Sequence, residues 1–247
     1  TLSTLSVSCL AAGRVEAALV AENEALPLFR QLGHRIGEAI GLQHLAHITL
    51  HQGRRGEARV YNLQALELAR QLKNLELEGE CEWLLAEIAH ADGDSDDAQA
   101  RLRRSLQVCR EAGDRSGEAR ALGSLGRHAL EQYDTDTARQ QLAQALRVFQ
   151  TSEMHADLIG SLEDHADLAE AFELLEAAVS LRAAAQVARD GAGLVPAPAR
   201  RVHSQARLNA LRQTLGEPVY ESAWHTGRQW TLQDALSAAL GLAPLTV

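Results

Sequence analysis

Two pairs of side chains in the first half of the chain have the spacing of metal ligands on a helix. His47 and His51 stand four residues apart, and Glu87 and His90 stand three apart. Both spacings place the side chains on one helix face, where imidazole and carboxylate groups could share a zinc ion. The alternative is a polar surface that meets solvent or a ligand, and the sequence favours this alternative. We therefore expect neither a metal site nor a bound cofactor.

Other reactive residues do not form a catalytic pattern. The sequence contains neither the phosphate-binding motif Gly-x-x-x-x-Gly-Lys-Ser/Thr nor the zinc motif His-Glu-x-x-His. Asp164 and His165 are adjacent, but the serines do not form a nucleophile elbow. The sequence thus predicts a protein without enzymatic activity. A hydrolase or lyase on a helical scaffold is the alternative, which a polar pocket with a strongly shifted carboxylate or histidine pKa would favour.

Composition restricts the classes of protein and partner. The 247 residues are 46% hydrophobic but only 4% aromatic, which is typical of Leu- and Ala-rich helix packing. A net charge of -9 argues against a nucleic-acid surface, because such a surface needs a basic stripe. No apolar run is long enough to span a bilayer. Cys9, Cys81 and Cys109 share no ligand spacing, so we expect small core residues of a cytoplasmic protein.

Four stretches of the sequence repeat at an interval of 40 residues without a gap. They open at Gly13, Gly53, Gly93 and Tyr133, and each has an alanine five residues later. A fixed period of this size is typical of helix pairs that bury their apolar faces against neighbouring pairs. We therefore expect an all-α, right-handed α-solenoid of four to five helix pairs.

Apolar spacing within each unit predicts two helices separated by a glycine turn. In the second unit these helices run from about Gly37 to His51 and from about Gly56 to Leu72. Pro27 is expected to kink or shorten the second helix of the first unit. Small residues that allow close helix approach recur at two places: Ala46, Ala86, Gly126 and Ala166, and Ala58, Ala98 and Ala138.

The 40-residue period is lost after about Asp190. Residues 190–199 are predicted to be non-helical because Pro196 and Pro198 remove backbone donors and restrict their neighbours. We therefore divide the chain into a repeat solenoid, residues 1–190, and a linker with C-terminal capping helices, residues 191–247.

Three helices are expected in the C-terminal region. The first runs from Arg201 to Leu215, and a turn at Gly216–Pro218 leads into a short second helix through Trp224. A capping box at Thr231–Asp234 starts the third, which ends at Gly241. Two of the three tryptophans lie in this region, which indicates that it packs as a cap on the last repeat.

The repeat pattern resembles the tetratricopeptide repeat over residues 1–190. With Ala39 as position 1, the family's characteristic positions hold Leu42, Leu45, Ala46, Thr49, Gly53, Ala58 and Ala65. Two departures are the missing aromatics at positions 4 and 11 and a period of 40 residues, whereas the standard repeat has about 34. The longer period implies longer helices or loops. The run Gly113–Gly126 is similar to the longer repeats of large bacterial signalling proteins.

The C-terminal region resembles the end of large bacterial signal-transduction ATPase regulators. The similar elements are Leu215-Gly216, Ala223–Arg228 and Leu232–Leu236. In such proteins an effector, which is a LuxR-type or winged-helix DNA-binding domain or a nucleotide cyclase, and an ATPase switch accompany a repeat-built sensor.

This resemblance implies that the chain is a non-catalytic sensor or scaffold excised from a longer polypeptide. It would contact its upstream modules and a protein, peptide or small ligand, without direct contact to nucleic acid or membrane. A free-standing adaptor that bridges partner proteins is the alternative.

In the tetratricopeptide family, certain positions of each first helix face a concave groove. In this chain they give the candidate ligand-binding residues Gln43, His47, His51, Glu80, Trp83, Glu87, His90, Arg120, Arg127, Glu131, Glu163 and Asp167. Trp83 is unusual because the equivalent positions of other repeats hold polar or tiny residues. It is either a core residue or an apolar anchor for a ligand, with Arg120 and Arg127 binding an anionic group. Glu163, Asp167 and Glu170 are expected to face solvent or a basic partner segment.

Overall fold

The structure is a computed structural model that describes residues 2–11, 13–151, 155–195 and 198–243. Within these ranges the chain forms thirteen helices and no strand. The all-α class predicted from the sequence is therefore confirmed. No helix in the described ranges is long and apolar enough to cross a membrane. The chain divides into two compact units, Thr1–Ala121 (unit 1) and Leu122–Val247 (unit 2).

Ten of the helices in the described ranges form five consecutive pairs, each with a first helix (A) and a second helix (B). The pairs are α1 (Leu2–Ala11) with α2 (Val15–Gln31), α3 (Arg35–His51) with α4 (Arg55–Leu72), α5 (Leu75–Ala91) with α6 (Ser95–Ala112), α7 (Arg115–Glu131) with α8 (Thr135–Gln150), and α9 (His155–Ala171) with α10 (Leu175–Ala192). The remaining helices are α11 (Pro198–Leu215), α12 (Glu217–Gln229) and α13 (Leu232–Leu240).

The turns explain the regularity of the 40-residue period. A residue with positive φ separates the A and B helices of every pair, and these residues are Gly13, Gly53, Gly93, Tyr133 and Glu173. Turns between pairs use the same conformation at Gly33, Lys73 and Gly113, and Gly193 adopts it after the last pair. Glycine is favoured there because the left-handed conformation costs other residues about 1–2 kcal/mol. Glu173 continues the series, which makes α9 and α10 the fifth pair.

Caps account for the likeness between Gly33–Ala39 and Gly113–Ala119. In the first segment His34 Nδ1 accepts a hydrogen bond from the Gly37 N–H at 2.9 Å. In the second, Asp114 Oδ1 accepts one from the Gly117 N–H, also at 2.9 Å. Each cap binds one of the backbone donors that the first turn of a helix leaves without an intrahelical partner.

The core of unit 1 lies between its helix pairs. Leucines and alanines of α3 and α4 pack against α5, and the central cluster includes Leu42, Leu45, Leu66, Leu77 and Leu85. The small positions Ala46, Ala58, Ala86 and Ala98 are buried. Cys9, Cys81 and Cys109 are buried free thiols, which confirms their prediction as core residues.

Pro27 does not shorten its helix, so that half of the prediction is wrong. Helix α2 continues through Pro27 to Gln31 and has 17 residues, as do α3 and α5. Proline removes a single backbone donor, the one that would bind the Asn23 carbonyl, and near a helix end the remaining bonds suffice.

In unit 2 the last two helices form the predicted cap. Helix α10 is buried continuously from Ala178 to Ala185 because α9, α12 and α13 pack around it. Helix α12 lies close to α10. Ser180 Oγ donates to the Ala223 carbonyl at 2.9 Å, and a Cβ added to Gly227 would collide with the backbone carbonyl oxygen of Ser180. The cap and its Thr231–Asp234 capping box are confirmed.

The predicted linker is too long at both ends. Helix α10 extends to Ala192, and Gly193 ends it in the left-handed conformation. Helix α11 begins at Pro198, where a helix needs no backbone donor and the fixed φ of proline is suitable. Pro196 lies outside the described residues. Helix α12 continues to Gln229, beyond the predicted end at Trp224.

Candidate functional site

The A helices of unit 1 bring four of the candidate residues together. His47 lies on α3, Glu80 and Trp83 lie on α5, and Arg120 lies near the start of α7. We call these four residues the Trp83 patch. All four are half-buried, so the patch belongs partly to the packing and partly to the surface.

Trp83 is the centre of the patch. The His47 ring stacks on the indole with a centroid distance of 5.8 Å and an interplanar angle of 29°. The Arg120 guanidinium carbon lies 5.6 Å from the indole centroid, which is a cation–π distance. Arg120 Nη2 also donates to Glu80 Oε1 at 2.6 Å. These contacts connect three consecutive A helices.

The packing of Trp83 combines features of its two predicted roles. Its indole packs against the buried cluster of Ala46, Ala58, Leu84 and Ile88. The side chain nevertheless keeps an exposed part. Trp83 therefore contributes to the core and keeps part of its surface exposed to solvent.

His47 is uncharged at neutral pH. Burial lowers its pKa from 6.5 to about 3, and the positive charge of Arg120 adds to this effect, as do His44 and His51. A neutral imidazole can stack on the indole without repelling Arg120. General acid–base catalysis is most efficient when the pKa of the group lies near the operating pH, so His47 is poorly suited to that role.

The other unit 1 candidates lie outside this stack. Gln43 is buried on α3, and its side chain is 4% exposed. His51 is exposed at the end of α3, and burial of part of its ring lowers its pKa. On α5, Glu87 is half-buried and His90 is exposed.

In unit 2 the candidate residues take part in ionic contacts with their own chain. Arg127 donates to Asp164 Oδ2 at 3.3 Å and to Ser124 Oγ at 2.8 Å. Glu163 is buried and its carboxylate lies 2.8 Å from Arg189 on α10. Glu131 is exposed at the end of α7.

Asp167 and Glu170, one turn apart on α9, share the buried Arg182 of α10. Its Nη2 donates to Asp167 Oδ1 and, at 2.8 Å, to Glu170 Oε1. Burial raises the pKa of Asp167, but His203 and Arg182 outweigh burial and hold it below its ordinary value. Arginines of the same chain bind both carboxylates instead of leaving them to solvent. The alternative contact, a basic partner segment, stays a prediction.

Sequence reasoning missed Arg182, although the repeat register contained a signal. Arg182 stands at the repeat position that Glu22, Asn62, Leu102 and Leu142 occupy in the other pairs, and all five residues are buried. Where this position is polar, it makes a specific contact. Glu22 Oε2 lies 3.2 Å from His44 Nδ1, and Asn62 Nδ2 donates to the Cys81 carbonyl at 2.7 Å. A charged residue in a core position therefore indicates a buried partner.

Comparisons with known proteins agree with this fold. The family profile described as "Tetratricopeptide repeat" matches residues 77–151. These residues resemble tetratricopeptide repeats. A solved structure, BtubC (BKLC) from P. vanneervenii, is similar with a TM-score of 0.64 and 17% sequence identity, covering 94% of this chain and 95% of that chain. At this identity the similarity shows the fold alone. No curated protein sequence matches the chain significantly.

The repeats support a coarse functional conclusion. Tetratricopeptide-like helix pairs are typical of a protein-interaction scaffold. The partners that such repeats suggest are proteins.

Proposed function

We propose that the Trp83 patch is the recognition surface through which this scaffold binds a protein or peptide partner. The observation that carries the proposal is the stack of His47, Trp83 and Arg120 on three consecutive A helices. Tryptophan and arginine are enriched among the residues that dominate protein-binding energies, particularly where they are held in well-packed surroundings. The patch supplies both, anchored on a buried cluster.

The chemistry of the patch restricts the partner. The indole and the uncharged imidazole together offer an apolar surface suited to an aliphatic or aromatic side chain. Arg120 stands over the indole and is positioned by Glu80, so a carboxylate or carbonyl group of the partner would meet an oriented cation. We therefore expect a peptide with an apolar residue next to an acidic one.

At the level of the whole protein, we infer a non-catalytic regulatory role in a bacterial transcriptional or signalling regulator. The inference is supported by the similarity of residues 215–236 to the ends of such regulators. The repeats are equally compatible with a free-standing adaptor. The natural reading frame around Thr1 distinguishes the two, because an effector or ATPase segment encoded there would support the regulator.

The recognition surface can be tested with peptides selected on the wild-type chain from a displayed random library. Selected peptides are then titrated by fluorescence anisotropy against Trp83→Ala and Arg120→Gln. Each variant should bind at least tenfold more weakly, equivalent to about 1.4 kcal/mol, because an anchor or an oriented cation is lost.

Arg103→Gln is the matched control, since Arg103 is exposed on the B helix α6 of the same unit. It should bind with wild-type affinity. Thermal unfolding of all variants identifies any that are not folded at the temperature of the titration. Selected peptides that bind both patch variants as tightly as the wild type would refute the proposed surface.

A further inference from the structure

Helix α11 packs on the other helices of unit 2 with little burial of apolar side chains. Among residues 201–215, whose side chains the structure describes, Leu211 is the one buried side chain, whereas Val202 is 68% exposed. Helix α10 beside it is buried over eight consecutive residues, from Ala178 to Ala185. Since apolar burial is the main force that holds helices together, α11 is weakly held by comparison.

Charged side chains connect α11 to α9. Arg207 Nη2 lies 2.9 Å from Glu170 Oε2, and its Nε lies 4.0 Å from Asp167 Oδ1. His203 Nε2 lies 3.6 Å from Asp167 Oδ2. The Arg207 and His203 side chains are 43% and 58% exposed, so solvent screens both contacts and each stabilises the docked helix only modestly.

The residues that dock α11 form one face of the helix. His203, Arg207 and Leu211 follow each other at intervals of four residues, which places them on the same side. This face is the one that an amphipathic helix presents when it binds a surface on another protein. Glycines with positive φ, Gly193 and Gly216, stand in the connections on either side of α11.

Two buried nitrogen donors at the contact between α11 and the rest of unit 2 lack hydrogen-bond partners. Arg182 is 3% exposed, yet its Nε has no hydrogen-bond partner, and the same is true of the buried Nε of Arg207. A buried donor without an acceptor is unfavourable. Of these two atoms, Arg182 Nε belongs to the surface that α11 covers, and α11 does not supply it with the acceptor that another ligand could offer.

We propose that Asp167 and Glu170 form a binding surface for a basic helix of a partner protein, and that α11 occupies this surface until the partner displaces it. The partner helix carries cations at two positions four residues apart and a leucine-sized side chain four residues further on. A hydroxyl or amide group beside the second cation would satisfy the Arg182 Nε. Helix α11 thus acts as an internal competitor, and the recognition chemistry of unit 2 differs from that of the Trp83 patch.

The probe for this proposal is a fluorescein-labelled peptide with the sequence of residues 201–215, titrated into the full chain. In the Arg207→Glu variant, repulsion from Asp167 and Glu170 releases the internal helix. This variant should bind the peptide at least tenfold more tightly than the wild type. Arg201→Glu makes the same charge change at an exposed position of α11 and should behave as the wild type.

A second peptide, in which the residue equivalent to Arg207 is glutamate, should bind neither chain. Equal affinity of the first peptide for wild type and Arg207→Glu would overturn the proposal, as would the absence of binding to the variant. If Arg207→Glu does not fold, Arg207→Gln replaces it. Hydrogen exchange provides an independent measurement: the wild-type amides of α11 should exchange at least tenfold faster than those of α12, and equal protection would contradict displacement.

Discussion

The Trp83 patch and the acidic surface of α9 use equivalent repeat positions in different ways. His47 and Asp167 stand at the same place in the second and fifth A helices, three periods apart. In unit 1 the position holds a neutral ring stacked on tryptophan, whereas in unit 2 it holds a carboxylate bound by Arg182. The helix-pair fold therefore determines where a side chain stands. The charge of the side chain and the burial of its partner determine whether the side chain stabilises the packing or remains partly available at the surface.

Replacing Arg182 or Arg120 by alanine should give the largest difference in stability between the two regions. Arg182→Ala leaves Asp167 and Glu170 without their buried cation, and breaking a buried ion pair typically costs about 3–5 kcal/mol. Arg120→Ala removes a pair whose side chains are 23% and 31% exposed, which should cost about 1 kcal/mol or less.

Chemical denaturation of both variants measures the difference in the free energy of unfolding, with Arg201→Ala as the exposed control. Equal losses for Arg182→Ala and Arg120→Ala would contradict the contrast between a structural and a surface arginine.

Acid should destabilise the fold through His47. Its folded pKa of about 3 lies below the ordinary 6.5, so its contribution to stability is complete above pH 6.5 and is lost as the pH falls towards 3. Because the ring is half-buried, we expect a loss of about 1 kcal/mol between pH 7 and pH 5 that His47→Gln lacks. Unfolding curves of both proteins at the two pH values measure this difference.

The pKa of His203 in α11 is shifted in the opposite direction to that of His47. The Asp167 carboxylate raises its pKa, so its contribution is present below pH 6.5 and is lost as the pH rises through the folded value. His203→Gln should therefore enlarge the stability loss between pH 7 and pH 5 rather than remove it. If His203→Gln removed the loss of stability as fully as His47→Gln does, the acid sensitivity would not come from His47.

The smallest effect is expected at a turn of the fourth pair. Tyr133 has φ 61° and is 91% exposed, so glycine at this position would remove backbone strain without losing packing. Tyr133→Gly should stabilise the chain by about 0.5–1 kcal/mol, the relief of strain less the larger entropy of glycine in the unfolded state. Gly53→Ala, at the equivalent turn of unit 1, should destabilise it by a similar amount. Thermal unfolding measures both, and a lower midpoint for Tyr133→Gly would contradict the strain argument.

Most of the repeat fold could be predicted because its signals are local and repeated. Gly53 and Gly93 mark the same left-handed turn, and α3 and α4 begin within two residues of their predicted starts. The C-terminal end of the linker was mispredicted because proline was interpreted only as a helix breaker, whereas Pro198 begins a helix.

The candidate site was harder to predict because it depends on pairs of residues distant in sequence. The sequence suggested Trp83 and Arg120 but not that the two contact each other, and it suggested Asp167 without Arg182. Periodicity specifies which residues share a helix face, but it does not specify which charges on neighbouring helices meet. Arg182 follows a different rule, since a charge in a leucine position can remain only if another helix neutralises it.

The buried position shared by Glu22, Asn62, Leu102, Leu142 and Arg182 has a consequence for assembly. Helix pairs that share one pattern of apolar and small positions could in principle stack on the wrong neighbour, a characteristic failure of repeat proteins. Glu22 lies beside His44 of the following pair and Asn62 donates to the Cys81 carbonyl of the following pair, whereas Arg182 binds Asp167 within its own pair. In the first two pairs the polar residue thus gives the junction with the following pair a side-chain hydrogen bond that the leucines of the third and fourth pairs cannot make, so these buried junctions are not interchangeable.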